Sequence, residues 1–295
     1  RSAGSSPRWQ DRRASTKNKP APQQSDLSGL PLGEGGRPST APPGAPAPAR
    51  PDTGPLAALC RTAEAAAGRV HRALGWLAAA FLATALPVVA MRWMDPWYSA
   101  FMLDAALDAS RQGKANYKTD YRWADLEQIS PHAAVAVIAS EDQLFPYHTG
   151  FDFKSIREAI RANERQATRK RPRIRGGSTI SQQVAKNLFL WSGRSYLRKG
   201  LEAYFTLLIE ITWPKERILE VYLNVAQFGD GIYGVEAAAQ RYWRKPAARL
   251  DRWEAATLAA VLPNPVRLHA NAPSPYVQLR RDQILSQMRG LGGAS

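Results

Sequence analysis

The sequence predicts a mainly α-helical domain that follows a single membrane-spanning helix. Several segments begin with a helix-capping residue or a proline and continue with apolar residues spaced for one face of a helix. No run of alternating apolar and polar residues predicts a large sheet, and no internal repeat is present. One long apolar stretch carries no formal charge, which is typical of a membrane span.

Size and charge limit the classes of function. The chain has 295 residues, enough for one sizeable domain, and a net charge of +15 with a pI of about 10.2. Strong positive charge favours polyanionic partners, which leaves nucleic acid, anionic lipid and phosphate-bearing substrates as candidates. Cys60 is the single cysteine, so an internal disulfide and a cysteine-rich metal site are both excluded.

The N-terminal part differs in composition from the rest. Residues 1–55 are rich in Pro, Gly, Ser, Ala and Arg, and such a stretch buries too little apolar surface to offset its chain entropy. We therefore expect a disordered cytoplasmic tail at 1–55. Residues 56–72 are rich in alanine and predict a juxtamembrane helix.

Residues 73–91 are the uncharged stretch, and a helix of this length spans a hydrocarbon core of about 30 Å. Three arginines precede it: Arg61, Arg69 and Arg72. This charge bias predicts a cytoplasmic N-terminus and a periplasmic domain. Tryptophans lie near both ends, as in the aromatic belts of membrane helices: Trp76, Trp93 and Trp97. The alternative is a buried core helix, because many of these residues are alanine.

Residues 95–290 should form the globular domain. Four helix starts are recognisable from a capping residue or a proline: Ser130–Pro131, Asp152, Pro214 and Asp251. Five short polar segments interrupt the apolar pattern of these helices, and they are the candidates for chemistry.

The first polar segment follows an almost wholly apolar helix. Glu141 and Asp142 end that helix, and His148 comes shortly after them. A carboxylate at the end of a buried helix tends to be desolvated, which raises its pKa and suits it to acid–base chemistry. The residues alone leave open the alternative that the two acids form a solvated helix end or a cap.

The second segment spans residues 175–187. Its glycines allow close approach of the backbone, Ser178 or Thr179 can cap the following helix, and helix N-termini attract anions. Gln182 and Lys186 are four residues apart and should share a face. A basic run, RKRPRIR, lies just before the glycines and suits a phosphate-rich ligand. The alternative is a glycine turn beside a solvated basic loop, and the spacing is not that of a P-loop.

The third segment combines two cations with one acid. On a helix, Arg198 and Lys199 both come within reach of Glu202. The alternative is an ordinary surface salt bridge worth less than about 1 kcal/mol. An apolar stripe is expected opposite these charges: Leu197, Leu201, Phe205 and Leu208. The fourth and fifth segments, 215–224 and 229–243, predict scaffold when taken alone.

In this order, the five segments resemble the motifs of the peptidoglycan glycosyltransferases, glycosyltransferase family 51. The family patterns are EDxxFxxHxGxD, GGSTITQQxxKN, RKxxE, KxxILExYLN and GxxGxxxAxxxYF, and the matches run from Glu141 to Trp243. Ser181 replaces the usual Thr and keeps the hydroxyl, while Trp243 replaces an aromatic Phe. The single span and the lack of the SxxK and KTG signatures resemble the monofunctional members rather than those with a transpeptidase domain.

The resemblance implies a lysozyme-like fold and a defined reaction. The 4-hydroxyl of the GlcNAc of lipid II attacks C1 of the MurNAc at the lipid-linked end of a growing glycan, and undecaprenyl diphosphate leaves with inversion. Glu141 takes the role of general base, with His148 as a second candidate. Lys186, Arg198 and Lys199 are the candidates for stabilising the negative charge on the leaving group.

Glu202 matches the second essential glutamate of the family, and it either orients the cations or holds a divalent ion such as Mg or Mn. No cofactor is required. Asp142 is expected to support the first loop. The other candidates for substrate binding lie in the first two motifs: Phe145, His148, Gly177, Ser178, Thr179, Gln182, Gln183 and Asn187.

The expected partners are lipid II, the lipid-linked glycan strand and the membrane, with the division or elongation machinery as a further candidate and no nucleic acid. The expected location is the bacterial inner membrane. Aromatic residues after the span are candidates for a rim that docks on lipid headgroups: Trp93, Trp97, Tyr98 and Phe101. The alternative is that these residues pack the start of the domain.

Two other classes of function compete with this interpretation. A lysozyme-like peptidoglycan hydrolase would also use carboxylates in an α-rich fold. The glycine-rich segment and its cations have no evident use in hydrolysis, whereas they suit a diphosphate donor. A non-enzymatic membrane protein that binds nucleic acid or scaffolds other proteins lacks support, because no zinc-finger, RNP or helix-turn-helix signature is present.

Overall fold

The computed structural model of the chain describes residues 54–153, 157, 161, 177–193 and 195–292. The tail predicted at 1–55 lies outside these residues except for its last two positions. The basic run before Gly177 and nearly all of the helix predicted after Asp152 also lie outside them. By its internal contacts the chain divides into two compact units, residues 1–62 and 63–295, and the contacts described below belong to the second.

The first helix, α1, extends from Pro55 to Ala90, so the predicted juxtamembrane helix and the predicted span form one continuous helix. By length and composition, Ala58–Ala90 is a candidate to cross a membrane, because its apolar window of 18 residues has a mean hydropathy of 2.0. Only 11% of its apolar window is buried. This exposure argues against a core helix, because a large uncovered apolar surface is typical of a membrane or protein contact. The boundaries at 72 and 91 stay predictions.

The rest of the described chain folds into helices beside a small sheet. In chain order the helices are α2 (Ala100–Arg111), α3 (Pro131–Glu141), α4 (Ile180–Phe189), α5 (Tyr196–Thr212), α6 (Lys215–Val225), α7 (Val235–Trp243), α8 (Arg252–Val261) and α9 (Pro275–Gly290). The strands are β1 (Asp120–Tyr121), β2 (Gln227–Gly229) and β3 (Ile232–Tyr233), with short 3-10 turns at Leu126–Gln128 and Ala247–Arg249. The mainly α-helical fold class is confirmed.

Helix starts in the described part of the chain carry the predicted caps. The Ser130 hydroxyl accepts a hydrogen bond from the first turn of α3, and Pro131 occupies the first helical position. Asp251 forms a capping box with Glu254 at the start of α8. Pro214 precedes α6 directly. These three starts are therefore confirmed.

The small sheet was not predicted, because strands of two or three residues are too short to show an alternating pattern. Its strand order is β1-β3-β2, in which β1 pairs parallel with β3 and β2 pairs antiparallel with β3. The predicted glycine loop of the fifth segment forms the turn between β2 and β3. Gly234 then joins β3 to α7 with a φ of 84°, which glycine adopts without steric cost.

The core is centred on α6. Its residues Ile218, Val221 and Leu223 have no exposed surface. Asn224 is equally buried, and its side-chain amide forms hydrogen bonds with both the N–H and the carbonyl of Ala124. Helix α4 packs against α2, α5 and α6, and α8 packs between α3 and α9. The fourth segment therefore lies in the core and packs against α4, which carries most of the second segment.

The end of α1 is anchored to this core. Val88 is buried, and its carbonyl accepts a hydrogen bond of 2.7 Å from the indole N–H of Trp213, directly after α5. The guanidinium of Arg217, on α6, donates to the carbonyls of Met91 and Met94. The chain therefore leaves the candidate span at a fixed position on the domain.

The apolar stripe predicted on α5 is only partly right. Phe205 is 9% exposed, but Leu197 is 71% exposed. Glu202 is the residue that turns inward near the start of this helix, with 3% of its surface exposed. The prediction failed at Leu197 because the first turns of α5 bury the face that carries Arg198 and Glu202.

Gly150 should not tolerate a side chain. Its φ is 87°, and a Cβ atom there would lie 2.9 Å from side-chain carbons of both Glu210 and Thr206. We expect Gly150→Ala to lower the free energy of unfolding by about 2 to 4 kcal/mol, because backbone strain and overpacking add. Denaturant unfolding of the detergent-solubilised protein measures this loss.

Gly113→Ala is the matched control. Gly113 has a φ of 68° but open space at the Cβ position, so we expect a loss of only about 1 kcal/mol. Equal losses in the two variants would show that backbone strain alone explains the requirement for glycine.

Candidate active site

The site is built around the C-terminal end of α3. Glu141 is the last residue of this helix and is partly buried, and its Oε2 accepts a hydrogen bond of 2.9 Å from Gln183 Nε2 on α4. Burial raises the pKa of Glu141, while the Gln183 amide and the charges of Arg280 and Lys186 oppose that rise. A carboxylate with a raised pKa holds a proton more readily, which suits it to general-base chemistry.

Asp142 ties the end of α3 to the start of α4. It is 7% exposed, and its Oδ2 accepts the backbone N–H of Ile180 at 3.0 Å and a hydrogen bond of 2.9 Å from His148 Nε2. A carboxylate at a helix N-terminus is favoured by the helix dipole. Asp142 therefore supports the first loop, as expected, and fixes Glu141 opposite α4.

The arrangement of His148 does not favour it as the base. Its Nδ1 accepts the backbone N–H of Gly150 at 3.1 Å, which leaves Nε2 to carry the proton that is donated to Asp142. Both ring nitrogens are therefore engaged. The second candidate for the base is better described as a support of the Asp142 contact.

Two residues expected in the substrate cleft serve instead to cap α4. Thr179 Oγ1 accepts the N–H of Gln182, and Gln182 Oε1 accepts the N–H of Thr179, which completes a capping box. The two residues are 2% and 4% exposed. The pair on α4 that lies toward the site is therefore Gln183 and Lys186, rather than Gln182 and Lys186 as the spacing suggested.

The other expected cleft residues divide between surface and interior. Ser178 is exposed and Gly177 is partly buried, so both are accessible at the start of α4. Asn187 is 8% exposed and Phe145 is 2% exposed. The Phe145 ring packs in the core beneath Lys215, whose Nζ lies 4.6 Å from the ring centroid. Direct contact between Phe145 and substrate is therefore not supported.

The ammonium group of Lys186 is affected by the charges of both glutamates. Burial lowers the pKa of Lys186, the charges of Glu202 and Glu141 oppose this, and the charges of Arg198 and Lys199 lower it further. All four charges are therefore close enough to act on one ammonium group. This group also lies over an aromatic ring, 5.5 Å from the ring centroid of Phe101, the innermost of the four aromatic residues predicted for the rim.

Glu202 forms a buried ion pair rather than the surface salt bridge that the spacing alone allowed. Arg198 donates to its Oε2 at 2.8 Å, and Lys199 donates to its Oε1. The Arg198 Nε is buried and finds no acceptor among the described residues. A buried donor without a partner is costly, so this N–H is available to an incoming oxygen acceptor.

The two proposed roles of Glu202 are not equally supported. Both of its carboxylate oxygens already accept hydrogen bonds from cations. No group of three metal-ligating side chains gathers among the residues that the structure describes. The contacts fit the role of orienting Arg198 and Lys199, whereas they do not fit a divalent ion at this carboxylate.

Sequence reasoning missed three residues of the site. Glu210 accepts from Ser181 Oγ and from Lys215 Nζ under α4, which explains why a hydroxyl is kept at position 181. Arg280, on α9, donates to the carbonyl of Ser140 at 3.1 Å and places its charge near Glu141. It lies in none of the five segments. Tyr222 contacts Gln183 and lies in the fourth segment, which the sequence predicts as scaffold.

The site therefore pairs a proton acceptor with an anion-binding cluster. Glu141 supplies the acceptor, and three cations converge on the other side: Lys186, Arg198 and Lys199. Such a pair suits a reaction in which a hydroxyl loses a proton while an anionic group departs.

Comparison with known proteins identifies the family. Residues 109–289 match the sequence model of the transglycosylases. The chain belongs to the transglycosylase family. Its domain has the lysozyme-like fold that the resemblance implied, and it is a glycosyltransferase.

Similar proteins from several bacteria carry the name biosynthetic peptidoglycan transglycosylase. One from Xanthomonas campestris pv. campestris is 52% identical over 229 residues, which cover 76% of this chain and 91% of the relative. One from Citrobacter koseri is 58% identical over 198 residues, or 67% of this chain and 80% of the relative. One from Pectobacterium carotovorum subsp. carotovorum is 53% identical over 218 residues, or 74% and 84%.

Glu141→Gln should stabilise the fold at neutral pH. The pKa of Glu141 is higher in the folded than in the unfolded chain, so the wild type loses stability as the pH rises through the raised value. The neutral amide lacks this penalty. We expect the variant to melt on the order of a few degrees higher at about pH 8, with the difference shrinking toward about pH 4.

Thermal unfolding at both pH values tests this expectation. Glu127→Gln is the control, because Glu127 is an exposed carboxylate in a 3-10 turn, and we expect its melting temperature to follow the wild type. A Glu141→Gln variant that melts below the wild type at about pH 8 would contradict the stated effect of burial.

Proposed function

We propose that this chain, a peptidoglycan glycosyltransferase of cell-wall synthesis, polymerises lipid II into glycan strands and releases undecaprenyl diphosphate. One observation carries the proposal. A partly buried carboxylate, Glu141, lies across from a cluster of cations that already neutralises a buried acid, Glu202. The attacking sugar hydroxyl needs a proton acceptor, and the departing lipid diphosphate needs cations that stabilise its charge.

Glu141 acts as the general base. An alcohol is a poor nucleophile near neutral pH, and a positioned base contributes about 10²–10⁴-fold to such a step. One carboxylate oxygen is held by Gln183, and no described residue donates to the other. That second oxygen, Oε1, is therefore the acceptor for the proton of the attacking 4-hydroxyl.

The cations stabilise the charge that develops on the departing diphosphate. Arg198 and Lys199 are oriented by Glu202, and Arg198 keeps one buried N–H donor that has no acceptor among the described residues. Of the three cations, Lys186 is the one whose charge lowers the pKa of Glu141. Fixed cations in a partly dry site stabilise developing negative charge better than water does.

The contacts disfavour the competing hydrolase. Most glycoside hydrolases use two carboxyl groups on either side of the bond that is cleaved. Here Asp142 is bound to Ile180 and His148, and Glu202 is bound to two cations. Only Glu141, among these three acids, keeps an oxygen without a hydrogen bond from a described residue.

The proposed location is the inner membrane, with α1 as the span and the domain in the periplasm. The arginines before the apolar stretch favour a cytoplasmic N-terminus. Directly after α1, Trp93 is 72% exposed and Trp97 is 90% exposed. Exposure of this kind supports a rim at the lipid headgroups over packing against the domain. Contact with the division or elongation machinery stays a prediction.

Glu141→Gln should abolish polymerisation. The amide cannot accept the proton, so we expect the rate to fall by about 10²–10⁴-fold, while the protein still folds and inserts into membranes. Gel analysis of glycan formed from radiolabelled lipid II measures this loss. Polymerisation at the wild-type rate would refute the role of Glu141.

Lys186→Ala and Arg198→Ala should each lower turnover by about 10²-fold or more, because each removes charge that opposes the developing negative charge. Lys245→Ala is the matched control, since Lys245 is a partly buried lysine paired with Glu254 outside the site. A double variant of Lys186 and Arg198 that turns over as fast as the control would contradict the leaving-group role.

A further inference from the structure

A chain of hydrogen bonds crosses three helices and ends on Glu141. The hydroxyl of Tyr222, on α6, donates to Gln183 Oε1, on α4, at 3.3 Å. The other end of the same amide, Gln183 Nε2, donates to Glu141 Oε2, at the end of α3, at 2.9 Å. Gln183 therefore uses one amide N–H and its carbonyl oxygen in hydrogen bonds within the protein.

The direction of the chain follows from the chemistry of its ends. An ionised carboxylate only accepts hydrogen bonds, so Gln183 must turn its N–H₂ group toward Glu141. Its carbonyl oxygen then faces Tyr222, which must donate. Reversing the amide would place a carbonyl oxygen against the carboxylate and would lose the hydrogen bond to Glu141. The charge of Glu141 therefore sets the orientation of Gln183, and the hydrogen bond from Tyr222 holds the amide in place.

We propose that Tyr222 is a positioning residue for catalysis, which acts through Gln183 to hold Glu141 Oε2 and so leaves Oε1 to receive the proton of the attacking hydroxyl. This inference rests on the proposed role of Glu141 as general base. It gives Gln183 a role beside the expected contact with substrate, because one donor and the carbonyl oxygen of the amide are engaged by the protein.

The anchor of this chain is well fixed. Tyr222 is 1% exposed and lies on α6, where residues 221–225 are all buried. Burial raises the pKa of Tyr222 well above its ordinary value, and the charges of Glu141 and Asp142 raise it further. The hydroxyl therefore keeps its proton over the working range of pH and remains a donor.

The chain also sets the protonation behaviour of Glu141. The hydrogen bond from Gln183 is the largest of the effects that lower the pKa of Glu141 against the rise caused by burial. Removing the Tyr222 hydroxyl leaves the Gln183 amide without the hydrogen bond that holds it in place. Removing the Gln183 amide takes away the donor to Glu141. Either change should raise the pKa of Glu141, so that more of the base is protonated and inactive at a given pH.

The test compares Tyr222→Phe, Gln183→Met and the double variant. The readouts are kcat, KM and the pH dependence of kcat/KM for polymerisation of lipid II by the full chain in detergent or vesicles. We expect Tyr222→Phe to lower kcat on the order of tenfold with KM nearly unchanged. The acid limb of the pH profile should move to higher pH, and further in Gln183→Met.

The two single changes should not add, because they act in one chain. Adding Tyr222→Phe to Gln183→Met should therefore leave the acid limb where Gln183→Met alone places it. Tyr242→Phe is the matched control, because its hydroxyl donates to the carbonyl of Phe228 and not to the site. Thermal unfolding confirms that each variant is folded, and Gln183→Met carries the test if Tyr222→Phe is not.

The outcomes separate the two proposals. The positioning role is overturned if Tyr222→Phe keeps the wild-type kcat and acid limb, or if its kcat is reduced equally at every pH. In either case, an inactive Glu141→Gln enzyme still supports Glu141 as the general base. An active Glu141→Gln enzyme overturns the proposed function, and the positioning role with it. Shifted, non-additive acid limbs support both.

Discussion

The contact between the Asp142 carboxylate and the backbone N–H of Ile180 sets the geometry of the site. It joins the last turn of α3 to the first turn of α4, and the two residues lie far apart in the chain. With these helix ends joined, Glu141 meets Gln183 one turn into α4. His148 completes the joint, and it is held in turn by Gly150. The glycine is required because Glu210 and Thr206 leave no room for a Cβ atom.

With the two helix ends joined, acidic and basic side chains are partly buried in one site, yet no cation among the described residues forms an ion pair with the reacting carboxylate of Glu141. Glu202 is neutralised by Arg198 and Lys199, whereas Glu141 keeps an oxygen that no described residue occupies. Burial of Glu141 destabilises its charged form, and that cost is the source of its readiness to take a proton. Stability and activity are therefore in conflict at this residue, as is common at active sites.

The sequence predicted the helices well where a cap or an apolar period marked them, as at Ser130 and Asp251. It also predicted the pairing of Arg198 and Lys199 with Glu202, because helical spacing alone decides it. It did not predict that this charged face is buried, since spacing defines a face but not what packs against it. The sequence did not show which of Gln182 and Gln183 faces the site. Gln182 caps α4 through its capping box with Thr179, and the residue types alone fit either a cap or a cleft residue. Arg280 left no signal, because only tertiary packing brings α9 to α3.

Partial burial at the end of α3 raises the pKa of Glu141 above the ordinary value for a glutamate, and the site depends on this shift. A carbon-13 NMR titration of protein labelled at the glutamate side-chain carboxyls measures this directly, with Glu141→Gln assigning the resonance. The account predicts that the resonance missing from the variant titrates above about 4.3, the ordinary value for glutamate. Titration of that resonance at or below the ordinary value would contradict the account.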